Sequence, residues 1–182
     1  MKKGSIVIQS VLLFITLLTG PPLVAQRPAS ARGQERLIRE VRRELVMLPY
    51  YSVFDNLEYR VEGEVVTLLG QVTRPTLKSD AARAVMQIEG ISNVVNQIEV
   101  LPLSPADDRI RRAVYRALFS EDSSLFRYAM GAVPPIHIIV KNGNVTLVGV
   151  VDNEADKTTA SSRANRVSGL FSLTNSLTVK KE

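Results

Sequence analysis

An internal repeat constrains the fold of this 182-residue chain more than any other feature. When Val61–Val100 is placed over Val140–Val179 without gaps, apolar residues coincide along the whole span. Matched glycines and a matched asparagine at one offset indicate two copies of one structural unit. The paired positions that mark the repeat are Gly70 with Gly149, Gly90 with Gly169, and Asn96 with Asn175.

A second match extends each copy upstream at a shorter offset. Arg36-Leu37 resembles Arg109-Ile110, and the apolar residues that follow keep a helical spacing. The second copy therefore carries a short insertion before its first strand, where Gly131–Pro135 predicts a loop. We expect the two modules to span residues 35–102 and 107–180.

Each copy predicts the element order αββαβ. An apolar stripe indicates the first helix, alternating apolar residues indicate a hairpin, and a second helix and a third strand follow. The predicted fold class is α+β: two tandem modules, each with a three-stranded sheet and two helices on one face. Gly90 and Gly169 fit the left-handed position after the second helix. We interpret Gly70 and Gly149 as packing glycines, where the following helix crosses the sheet.

The N-terminus is typical of a secretory signal peptide. Lys2 and Lys3 precede an apolar stretch, Ile6–Leu18, which is short for a membrane-spanning helix. We predict a signal peptide over residues 1–25 and a flexible leader over 26–34, and a retained N-terminal anchor is the alternative. No cysteine follows the apolar stretch, so a lipoprotein anchor is excluded. We therefore expect a periplasmic or secreted protein.

The composition argues against an enzyme. The chain has no cysteine and a single histidine, His137, which falls in a predicted strand, so we expect neither a metal site nor a cofactor. No phosphate-binding glycine loop occurs, and Ser123-Ser124 has no histidine partner at motif spacing. The net charge of +5 is compatible with an anionic partner but does not require one. A signal peptide argues against a nucleic-acid partner.

The repeated motif resembles the BON domain (bacterial OsmY and nodulation domain). Glu64–Val72 and Gly143–Val151 follow its glycine-containing strand pattern, and Gly90–Val100 and Gly169–Val179 follow its closing pattern. The resemblance implies an exported adaptor of the cell envelope that binds phospholipid or another envelope component. The alternative is a periplasmic stress chaperone or a protein-interaction module that does not bind lipid.

The resemblance also implies that lipid contact involves a helix of the second module. The predicted first helix of that module carries several arginines, which bind phosphate through paired N–H groups, and aromatic residues follow it. The same residues fit a solvated helix face whose phenylalanines cap the core. The candidate residues for binding lipid or a partner are Arg109, Arg112, Arg116, Phe119, Phe126 and Arg127.

The sheet face opposite the predicted helices is unusually apolar. It carries Leu69 in the first copy and Val148 and Val150 in the second. We expect this face to contact either the other module or a partner protein.

Overall fold

The computed structural model describes residues 28–131 and 133–181, which form two modules. The first module contains α1 (Pro28–Val46), β1 (Asn56–Glu62), β2 (Val65–Val72), α2 (Pro75–Met86), and a third strand in two parts, β3 (Asn93–Asn96) and β4 (Glu99–Val100). The second module contains α3 (Pro105–Phe119), a 3-10 helix (Ser124–Met130), β5 (Ile136–Lys141), β6 (Asn144–Val151), α4 (Glu154–Asn165) and β7 (Ser172–Val179).

The two modules have the same sheet topology. The first two strands pair antiparallel, and the third lies parallel to the second. The parallel connection is made by a helix, as such crossovers usually are. In both modules the two long helices cover one face of the sheet. The predicted fold class, α+β with two tandem αββαβ modules, is confirmed.

The core of each module lies between its sheet and its two helices. In the first module, Val41 of α1, Leu68 of β2 and Ala81 of α2 are fully buried in one cluster. In the second, Val114, Leu147 and Ala160 form the equivalent cluster. Their burial accounts for the apolar periodicity of the sequence, because burial of apolar surface is the main favourable contribution to folding.

Helix α1 begins earlier than the sequence suggests. It starts at Pro28, so the predicted flexible leader is wrong for residues 28–34, which form the first turns of this helix. Proline is well tolerated in a first helical turn, where its missing N–H would have no partner, and alanine, arginine and glutamine favour the helix that follows. The predicted signal peptide, residues 1–25, lies outside the described residues.

The repeated glycines of the second strand admit a neighbouring strand rather than a helix. Gly70 and Gly149 have φ angles of +103° and +122°. A Cβ atom would lie 2.1 Å from the Asn56 carbonyl oxygen in the first module and 1.9 Å from the Pro135 carbonyl oxygen in the second. The backbone at the start of the hairpin, not the following helix, therefore makes the close approach, which corrects our interpretation of these glycines.

The repeated asparagine joins the third strand to the second helix. Asn96 donates from Nδ2 to the Lys78 carbonyl oxygen at 2.8 Å, and Asn175 donates to the Lys157 carbonyl oxygen at 2.8 Å. Each Oδ1 also accepts from the amide two residues later. An amide side chain can donate and accept at once, so it fastens helix to strand in both modules.

The loop between α1 and β1 of the first module reaches into the second module. Val53 is buried in the core of the second module, and its carbonyl oxygen accepts from the Ile138 amide at 2.8 Å. Phe54 packs edge-on against Tyr115 of α3, with ring centroids 6.1 Å apart. Each module thus has its own sheet, but the core of the second is completed by residues of the first.

Candidate functional site

Three exposed arginines form a stripe along α3. Arg109, Arg112 and Arg116 are three and four residues apart, a spacing that places them on one face of a helix. They line an open groove of about 600 Å³, whose opposite wall is formed by Ser168 and Gly169 after α4. We call Arg109, Arg112 and Arg116 the arginine stripe.

The side chains of the arginine stripe make no hydrogen bond or ion pair with any other residue in the described ranges. Their guanidinium groups are therefore available to an outside ligand. A guanidinium is charged at every physiological pH and presents paired N–H donors that match the oxygens of a phosphate or a carboxylate. The groove is thus suited to an anion.

The first module has arginines at the equivalent positions, but each has an acidic partner. Arg36 pairs with Glu40 at 3.1 Å, Arg39 with Glu35 at 3.8 Å and Arg43 with Glu44 at 3.0 Å. Arg36 also donates to the Glu89 carbonyl oxygen at 3.1 Å. This helix face carries both signs of charge and offers an anion little net attraction.

Two sequence differences remove the equivalent acidic partners from the helix that carries the arginine stripe. Ala113 and Ala117 stand where the first module has Glu40 and Glu44. The acidic residue that remains, Asp108, pairs at 2.5 Å with Arg111, which also donates to the Val140 carbonyl oxygen at 2.7 Å. Arg111 is therefore a buried structural arginine, and it diverts Asp108 from the arginine stripe.

Phe119 does not belong to this surface. It is only 6% exposed and packs edge-on against Tyr115, with ring centroids 5.1 Å apart. It caps the core of the second module, so its prediction as a contact residue is wrong for the folded chain. Phe126, in the 3-10 helix, is 38% exposed and does not line the groove.

Arg127 is held by its own module. Its guanidinium is paired with Asp156, stacks on the Tyr128 ring at 4.7 Å, and donates to the Ser124 carbonyl oxygen at 2.7 Å. The Tyr128 hydroxyl donates to Asp156 at 2.7 Å, and burial, together with this hydrogen bond, raises the pKa of Tyr128 to about 12. These contacts fasten the 3-10 helix to α4, so Arg127 has a structural role.

His137 faces the first module across the junction. It is 8% exposed and stacks on Tyr51 with ring centroids 5.5 Å apart, and burial lowers the pKa of its imidazole. Its Nδ1 atom is buried without a hydrogen-bond partner among the described residues. Within residues 28–131 and 133–181, no three His, Asp or Glu side chains are grouped as a metal site would require.

The apolar face of the second sheet is partly covered by the first module. Val148 is half-buried in a cleft that it shares with Gln71 and Leu101 of the first module. Val150 is 46% exposed and borders a second cleft between the modules. Of the two explanations offered for this face, proximity of the first module accounts for the partial burial of Val148, whereas Val150 remains exposed.

The difference in charge between the arginine stripe and the equivalent face of the first module can be predicted from the sequence. Once the first helices are aligned, Glu40 and Glu44 fall opposite Ala113 and Ala117. That comparison indicates which module keeps uncompensated arginines. The contribution of Ser168 to the groove has no such signal, because it depends on how the end of α4 packs beside α3.

The comparisons with known proteins identify one family. The family model of the BON domain matches residues 34–102 and 106–181. No curated protein sequence matches the chain significantly.

Among solved structures, the C-terminal domain of CdsD, described as the structural protein of the type III secretion system of Chlamydia trachomatis, is similar at 12% identity and a TM-score of 0.31. The match covers 80% of this chain and 98% of that one. A second structure of CdsD gives 13% identity, a TM-score of 0.30, and coverage of 80% and 94%.

Proposed function

Because this chain belongs to the BON-domain family and carries two copies of the domain in tandem, we propose that it binds anionic phospholipid through the arginine stripe of its second module. BON domains are binding modules of envelope-associated proteins, and the family accounts for nearly all of the described chain. The proposed ligand group is the phosphate of a lipid headgroup. The proposed role is that of an adaptor that adheres to a membrane surface, rather than that of an enzyme.

The observation that carries this proposal is the contrast in charge between the equivalent faces of α1 and α3. The same repeat positions hold three arginines with acidic partners in the first module and, in the second, three arginines that have no such partner among the described residues. Two copies with one fold thus differ in the net charge of this helix face. Attraction to an anionic surface is proportional to uncompensated charge, so the second module supplies the binding face.

The dimensions of the arginine stripe support a surface ligand. From Arg109 to Arg116 the helix rises about 10 Å, because each residue adds about 1.5 Å. That length allows the stripe to contact more than one phosphate, and the groove beside it is open to solvent. The mechanism we propose is electrostatic docking with arginine–phosphate hydrogen bonds, and it needs no insertion of the buried Phe119.

The proposed location of the chain is the cell envelope, after export. The basic residues and the apolar stretch at the N-terminus support this location, as does membership of the family. No helix in the described part of the chain is both long and apolar enough to span a membrane.

Vesicle binding tests this function. We expect the chain to co-sediment with vesicles containing phosphatidylglycerol but not with vesicles of phosphatidylcholine alone, and the binding to weaken with salt. Because each arginine near an anionic surface contributes about 1 kcal/mol, the variant R109Q/R112Q/R116Q should bind on the order of 100-fold more weakly.

The matched control is R36Q/R39Q/R43Q, which removes the same three charges from the equivalent face of the first module. It should retain nearly all of the affinity, because those arginines are already paired. Equal losses in the two variants would contradict a role specific to the second module. Failure of the parent chain to bind anionic vesicles at low salt would favour the alternative, a protein-interaction module that does not bind lipid.

A further inference from the structure

Strand β7 leaves one edge of the second sheet open. It runs for eight residues, Ser172–Val179, and pairs with β6 along one side only. It contains neither a charged residue nor proline. Within the described ranges no segment of chain pairs with its outer side. A long uncharged edge strand is a template on which another strand can add.

The edge of β5 in the same sheet is blocked. The Ile138 amide, which points away from β6, donates to the Val53 carbonyl oxygen of the first module. Pro134 and Pro135 precede the strand, and proline cannot donate to a neighbouring strand. This side of the second sheet is therefore closed.

Both edges of the first sheet are blocked as well. Strand β1 presents exposed charges at Glu58, Arg60 and Glu62, and the Gln34 amide donates to the Val61 carbonyl oxygen at 2.8 Å. The opposite edge of the first sheet is interrupted between β3 and β4.

The charge on that opposite edge is already engaged. Glu99 of β4 pairs with Lys141 of the second module at 2.5 Å. Charges and interruptions of this kind are the usual protection of edge strands, and among the four edges of the described sheets only β7 lacks both. One amide on its outer side, that of Leu177, is bound at 3.1 Å by Asn175 Oδ1 of the same strand, and pairing with a partner strand would exchange this bond for one to the partner's backbone.

We propose that β7 pairs antiparallel with β7 of a second copy of this chain and joins the two second-module sheets into one. Directly opposed residues of an antiparallel pair point to the same face of a sheet. A self-pairing that keeps the helix-side residues together is therefore centred on a single residue. With Ser176 at the centre, Leu173 lies opposite Val179 and Thr174 lies opposite Thr178.

The sequence of β7 is self-complementary in this register. No like charges meet, because the strand carries none. On the helix side, half-buried Leu173 gains an aliphatic neighbour in Val179. On the exposed side, two threonines meet, a cross-strand pair that forms hydrogen bonds. The resulting contact is the same surface on both subunits, as two-fold symmetry requires.

Phe171 supports a second copy as the occupant. It is 86% exposed, and its ring lies beside the hairpin turn, where a Cβ at Gly143 would be 2.5 Å from a ring carbon. In the register centred on Ser176, Phe171 lies opposite Lys181 of the partner copy. The partner would cover this exposed ring with its C-terminal residues and place an ammonium group near it, a favourable cation–π arrangement.

Single-cysteine variants test the register, because the natural chain has no cysteine. In the chain as isolated, Ser176→Cys places the two sulfur atoms directly opposite each other, within reach of a disulfide. Thr174→Cys is the matched control, since its two copies would be about 13 Å apart along the strands and cannot be bridged. We expect mild oxidation to give a covalent dimer of Ser176→Cys at a rate at least tenfold above that of Thr174→Cys.

Sedimentation equilibrium tests the pairing without cross-linking. The parent chain should give a dimer mass at micromolar to millimolar concentration, and Ser176→Lys, which sets two ammonium groups opposite each other, should give a monomer. Gln97→Lys, the same repeat position in the first module, should remain dimeric. A monomeric parent, or equal cross-linking of the two cysteine variants, would overturn the proposal. The result is independent of vesicle binding, because β7 contributes no residue to the arginine stripe.

Discussion

The Ile138 amide donates to the Val53 carbonyl oxygen at 2.8 Å, and this bond joins the two modules. Val53 belongs to the first module by sequence, but its side chain is 8% exposed within the core of the second. The two modules therefore form a coupled pair, in which the second depends on a loop of the first.

Replacing Val53 should destabilise the second module. Val53→Ala removes buried methyl groups from the core of that module, at an expected cost of about 1–3 kcal/mol in the free energy of unfolding. Hydrogen exchange at the Ile138 amide should accelerate along with exchange in β5 and β6. The control is Val95→Ala in β3, which is 37% exposed and should change exchange in the second module little. Unchanged protection of β5 in Val53→Ala would show that the modules are independent.

Gly149→Ala should be far more damaging than Gly63→Ala. A Cβ at position 149 would lie 1.9 Å from the Pro135 carbonyl oxygen, whereas a Cβ at position 63 meets no atom within 4 Å. Gly63 has a φ of +62°, in the left-handed region where alanine costs about 1–2 kcal/mol, whereas the φ of +122° at Gly149 lies outside that region, so backbone strain and the close contact both disfavour alanine at position 149. We expect denaturant unfolding to show a loss above about 3 kcal/mol for Gly149→Ala alone. Similar losses would contradict the backbone contact.

The fold could be predicted because the sequence patterns that mark each helix, strand and turn lie within short segments of the chain. Apolar periodicity and the glycines after the second helices both depend on neighbouring residues in the chain. Gly149 was recognised as special for its position in a strand, but its partner, the Pro135 carbonyl oxygen, is a tertiary contact. Sequence pattern alone does not specify which backbone approaches.

The site was harder to predict, because charge and exposure depend on packing. Phe119 and Arg109 lie on the same predicted helix, yet one is buried against Tyr115 and the other is exposed. Arg127 carries the same positive charge as Arg112, but it is paired with Asp156. Only the tertiary structure shows which arginines keep an uncompensated charge.

His137 should make stability depend on pH. Burial lowers the pKa of its imidazole below the ordinary value, so the unfolded chain binds a proton more readily than the folded chain. The free energy of unfolding should therefore be fully retained above about pH 6.5 and fall as the pH is lowered through the folded pKa. His137→Phe should remove this part of the pH dependence in urea titrations from pH 8 to pH 5. A parent and a variant with the same pH profile would contradict the assignment.

The most direct test of the lipid-binding account is the affinity of A113E/A117E for phosphatidylglycerol vesicles. This variant keeps every arginine but introduces, beside the arginine stripe, glutamates equivalent to Glu40 and Glu44, which pair with the arginines of the first module. Its matched control, T158E/S162E, adds the same charge at exposed positions of α4. With about 1 kcal/mol lost for each neutralised arginine, A113E/A117E should bind on the order of tenfold or more weakly than the control. Equal binding by the two variants would contradict the account.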